Sequence, residues 1–128
     1  MSSLTDVLVG TGQIAAGAGM QAAEQGGAAG AYGGAMLTVT GILSLLAAQE
    51  AEMAVAWRAA DIAAMRALLG REPQADELTL SALDATWAAL SRDLIAHHEA
   101  IEAAGADDAA ILAFYRQSTE RRELTWPQ

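Results

Sequence analysis

AMLTVTGILSLLAAQEAEMAVAWRAADIAAMRALL, residues 35–69, decides the fold. Met36, Val39, Leu43, Leu46, Met53 and Trp57 return every three or four residues, the period that lines one face of an α-helix. A second stripe of Val55, Ile62, Met65 and Leu69 widens that face toward the C-terminal end. Gly70 and Pro73 then supply a stop, glycine because it accepts the left-handed conformation that closes a helix and proline because it cannot continue one.

Beyond that stop the same period returns. Leu80, Leu83, Trp87, Leu90, Leu94 and Ile101 predict a third helix over 76–104, with Gly105 just past its end. Asp107 or Asp108 caps a shorter fourth helix over 107–123, which carries Ile111, Leu112, Phe114 and Tyr115, and residues 124–128 form an irregular tail. Ahead of the long helix, Ser3-x-x-Asp6 has the form of a capping box, and Leu4, Leu8, Thr11, Ala15, Ala18 and Ala22 follow at helical spacing. Residues 1–34 thus read as an alanine- and glycine-rich first helix with a turn, although GGAAGAYGG at 26–34 could also carry a helix straight through. No segment alternates with a two-residue period, so no strand is expected. The fold class is all-α: an antiparallel bundle of about four helices in one domain, 1–128, completed by oligomerisation.

Composition narrows the function. The 128 residues hold no cysteine, which removes disulfides, thiolate metal sites and cysteine nucleophiles. Sixteen acidic residues stand against seven basic ones, a net charge of −9 that repels nucleic acid. All the basic residues are arginine, and with the heavy use of alanine and glycine this suggests a GC-rich bacterial gene. The N-terminus lacks the positive stretch of a secretory signal, and the expected location is the cytoplasm, with membrane association as the alternative.

Two polar residues interrupt the apolar stripes. Extending the 3-4 pattern places Glu50 on the core face of the long helix and His97 on that of the third, where an unpaired charge would be unfavourable. The two could therefore pair, or hold a transition metal with Asp93, His98, Glu99 or Glu102, since carboxylate and imidazole suit zinc, manganese and iron. The Glu-x-x-His pairs of di-iron carboxylate bundles are missing, because Leu94 and Ile95 stand three residues before the two histidines. Neither a nucleophile elbow nor a phosphate-binding loop is present. No catalytic residue and no cofactor is expected.

Glycine is the remaining signal. Ten of the twelve glycines fall between Gly10 and Gly41, where helices are expected and where each costs about 0.8–1 kcal/mol relative to alanine if exposed. Gly12 and Gly19, like Gly34 and Gly41, are seven residues apart, a spacing that allows two helices to approach closely. Trp57 and Trp87 occupy stripe positions and read as packing anchors. Between Glu24 and Glu50 there is no charge, over a length sufficient to cross a bilayer. The expected function is a non-enzymatic helical assembly module that packs against its own copies or a larger complex. The alternatives are a metal-binding bundle and a membrane-associated glycine-packed hairpin.

Overall fold

A computed structural model describes residues 3–127, and among these the chain is all-α, with four helices and no strand. They are α1 (Leu4–Gln25), α2 (Gly27–Leu68), α3 (Leu80–Ala103) and α4 (Ala109–Arg121). The chain divides into two compact units, one made of the residues up to Glu52 together with those from Leu124 onward, the other of Met53–Glu123. α2 gives its first part to one unit and its last part to the other.

The helix ends follow from side chains and glycines. Ser3 Oγ accepts from the Asp6 amide at 3.1 Å while Asp6 Oδ2 accepts from the Ser3 amide at 2.9 Å, a reciprocal box that starts α1. α2 begins at Gly27 and not at Ala35, because Gly27 alone, at φ +59°, supplies the turn and the next residues wind at once. α3 begins at Leu80 and not at 76, because Asp76 is drawn to Arg66 and the cap passes to Thr79, whose hydroxyl accepts from the Ala82 amide. At the other end of α2 the amides of Gly70 and Arg71 bond back to the carbonyls of Ala67 and Arg66. Gly105 and Ala106 do the same to Glu102 and Ile101, and both glycines have positive φ. α4 is shorter at both ends than the sequence suggests.

The second unit has an ordinary apolar core. Ile62, Met65, Leu83, Leu90, Leu94, Ile111 and Phe114 are buried together, with Leu68, Trp87, Ile101 and Tyr115 packed around them. Among the described residues the first unit has no comparable core. The only buried residues of α1 are Gly12 and Gly19.

Candidate functional site

The seam of the first unit is built from backbone. α1 and the first part of α2 run antiparallel, with Gly12 against Gly41 and Gly19 against Gly34. A β-carbon on Gly41 would stand 2.5 Å from the Ala16 nitrogen and 2.6 Å from the Gly12 carbonyl oxygen, and one on Gly34 would stand 2.5 Å from the Gly19 carbonyl oxygen. Real carbon atoms do not approach so closely, so only glycine fits. By contrast, Gly10, Gly17 and Gly33 would meet nothing within 4 Å. Ser44 Oγ ties the seam by donating to the Leu8 carbonyl at 3.0 Å.

Small residues hold most of the seam, Leu45 being the large side chain set against Gly12, and many of the other large ones face outward. Ile14, Tyr32 and Leu43 are 75%, 72% and 60% exposed, and Leu4, Val7, Met20, Met36 and Val39 are exposed as well. This corrects the sequence reading, in which Met36, Val39 and Leu43 form the packed stripe of α2. A stripe of apolar side chains marks a face, but backbone contact through glycine can win the seam and leave that face outside. Thr38 and Thr40 donate their hydroxyls to the carbonyls four residues earlier, Gly34 and Met36, at 2.9 Å each. The tail docks on the same unit: Gln49 donates to the Thr125 carbonyl at 2.7 Å and accepts from its amide at 2.8 Å, next to an exposed Trp126.

In the second unit the buried charge is Asp61, fully enclosed on α2. It accepts from Trp87 Nε1 at 3.1 Å, from Ser118 Oγ at 2.5 Å and from Arg121 Nη1 at 2.5 Å, so each of its oxygens is satisfied. Trp57 and Trp87 meet edge to face with centroids 6.1 Å apart, and the Arg58 and Arg122 guanidinium groups lie over these rings. Sequence reasoning missed Asp61, although its place one turn from both Trp57 and Met65 was a usable signal. Arg121, the last residue of α4, and Arg122, its C-cap, serve this network. Arg66, also buried, holds Asp76 through two hydrogen bonds of 2.7 and 2.8 Å, and the guanidinium draws the Asp76 carboxyl below its usual value.

The candidate metal ligands have different surroundings. Glu50 is half-buried in the first unit and is not without a partner. Asp93 is exposed and paired with Arg71 at 2.7 Å. His97 is exposed, contrary to its expected place on the core face of α3. From Leu94 the buried register steps by four to His98, not by three to His97, before reaching Ile101. His98 Nε2 stands 3.1 Å from Asp108 Oδ2 and 3.8 Å from Glu102 Oε1, while its Nδ1 is 3.3 Å from the Tyr115 hydroxyl. Burial, with the negative Glu102 nearby, raises the Tyr115 pKa. Glu99 is exposed on the same helix. Comparison of the chain with known protein families, curated proteins and solved structures finds no match, and these residues are the guide to what it does.

Proposed function

We propose that the chain is a non-enzymatic helix-packing module whose N-terminal hairpin docks into a lipid bilayer. The observation that carries this reading is the inverted hairpin, with Gly12, Gly19, Gly34 and Gly41 inside and Ile14, Met20, Met36, Val39 and Leu43 outside. In water that arrangement leaves apolar area unburied. In lipid it is the favourable one, since helices there associate through small residues and backbone contact while large apolar side chains meet the acyl chains.

Three further features support it. An 18-residue window of α2 has a mean hydropathy of 1.6 and is only 17% buried, whereas a soluble core helix of that character would be mostly buried. The uncharged part of α2, residues 27–49, rises about 34 Å, enough to cross a hydrocarbon core of about 30 Å. Tyr32, and Trp126 held beside Gln49, are exposed near opposite ends of that stretch, about 25 Å apart along α2, as residues at the two polar interfaces would be. The flanking charges are acidic (Asp6, Glu24, Glu50 and Glu52), which favours a bilayer of low surface charge over an anionic one.

Flotation of the full chain with phosphatidylcholine vesicles tests the proposal. The chain is expected to rise with the vesicles, and Met36→Gln with Leu43→Gln is expected to abolish flotation while helicity is kept. The absence of native cysteine allows a polarity-sensitive dye to be placed on Met36→Cys alone, and its emission is expected to shift to the blue on mixing. A chain that stays in the aqueous fraction, as a monomer or as a defined oligomer, overturns the lipid reading. The oligomer would point instead to a second copy as the occupant of the exposed face.

A further inference from the structure

The geometry points to a divalent metal site at the α3–α4 corner, formed by His98 Nε2, Glu102 Oε1 and Asp108 Oδ2. These three donor atoms lie within 4.8 Å of one another. Around a tetrahedral zinc with bonds of about 2.0–2.1 Å, neighbouring donors are separated by about 3.3 Å. The observed separations of 3.1 and 3.8 Å from His98 to Asp108 and to Glu102 bracket that value, and the third, between the two carboxylates, lies within 4.8 Å. One imidazole with two carboxylates suits zinc, manganese or iron(II), the remaining positions being open to water on the exposed Glu102 side.

The arrangement is not explained by helix capping. Asp108 occupies the N-cap position of α4 but its carboxylate makes no cap bond there. Asp107 takes over, accepting from the Ala109 amide at 2.9 Å, and leaves Asp108 turned to His98. Among the described residues no arginine forms an ion pair with Glu102 or Asp108, so two carboxylates face the one imidazole. A divalent ion would neutralise both. Tyr115 completes the arrangement from α4 as a positioning residue. With Nε2 given to the metal, the His98 proton moves to Nδ1, which donates to the Tyr115 oxygen at 3.3 Å and fixes the ring.

The site is independent of the bilayer reading and is tested without vesicles. The full chain, free of any polyhistidine tag and held in detergent micelles, is titrated with Zn(II) against a chromophoric chelator, and the His98 ring nitrogens are followed by NMR. One equivalent is expected to bind, with Nε2 shifting as a ligand and Nδ1 becoming the protonated nitrogen. His98→Ala is expected to weaken binding at least a hundredfold and Asp108→Asn at least tenfold. Tyr115→Phe should weaken it about tenfold, the lower range for loss of an outer-shell partner. His97→Ala, one residue away and exposed, is expected to leave it unchanged. If His98→Ala fails to fold, Glu102→Gln and Asp108→Asn carry the test. The proposal is overturned by substoichiometric binding, by binding that survives Asp108→Asn, or by a Nε2 resonance that ignores zinc. Any of these would leave an ion pair that fastens α3 to α4.

Discussion

The hairpin and the second unit share one helix and use it in opposite ways. Along residues 53–68 of α2 the large side chains Trp57, Ile62 and Met65 are buried; along residues 27–52 the buried residues are Gly34, Gly41 and Ala48 while Met36, Val39 and Leu43 are exposed. The 3-4 periodicity is equally regular in both parts. What separates them is the size of the residues on the other face: where glycines recur every seven residues, backbones meet and exclude anything larger. Hydrophobic periodicity locates a face, and the smallest residues decide which face is inside.

That contrast can be broken most severely from the second unit. Asp61→Ala strands the Arg121 guanidinium, the Trp87 N–H and the Ser118 hydroxyl, and is expected to cost about 3–5 kcal/mol, the range for breaking a buried ion pair. Chemical unfolding followed by circular dichroism measures it, and a loss below the effect of Ser118→Ala would mean the network adds little. Next in size, Gly41→Leu pushes a side chain into the Gly12 and Ala16 backbone. It is expected to lose about 3 kcal/mol or to separate α1 from α2, at the upper end for overpacking. Proteolysis within residues 4–25 reports that separation.

Asp76→Asn comes third, at about 2 kcal/mol for the loss of a charge-assisted pair. Its pH dependence has a definite sign. The folded Asp76 carboxyl lies below its ordinary value because Arg66 holds it. The stabilisation is therefore complete above the unfolded carboxylate range and is lost as acid carries the pH down through the depressed value. In Asp76→Asn that part of the acid limb should vanish. The smallest expected change is a gain: Gly17→Ala or Gly33→Ala, with open space around the new carbon, should each stabilise by about 0.8 kcal/mol. Destabilisation by either would show that the outer faces of the hairpin are more crowded than the isolated chain implies.

The fold class was legible because each helix carries both a period and a boundary, as Ser3, Gly70 and Gly105 show. The inversion of the hairpin was only half legible. Gly12, Gly19, Gly34 and Gly41 stood out by spacing, but a missing side chain leaves no mark in a hydrophobic pattern, and Met36, Val39 and Leu43 drew the inward assignment. At the corner of α3 and α4 the choice between adjacent histidines turned on one step of three or four residues. The ligand that completes the group, Asp108, comes from another helix, so no local spacing could announce it. Asp61 and Glu50 are not told apart by sequence, because one charged residue within a regular apolar repeat looks much like another until its hydrogen-bond partners are known.

The placement of the three tryptophans gives the chain two optical channels of opposite sign. Trp57 and Trp87 are shielded within the second unit, against each other and beneath arginines, so their emission lies toward the blue and moves to the red when that unit unfolds. Trp126 stands 66% exposed on the first unit, so its emission begins at the red end and moves to the blue if lipid or a partner covers it. A single fluorescence spectrum therefore separates loss of structure from burial of the hairpin end, and Trp126→Phe leaves only the first of these signals.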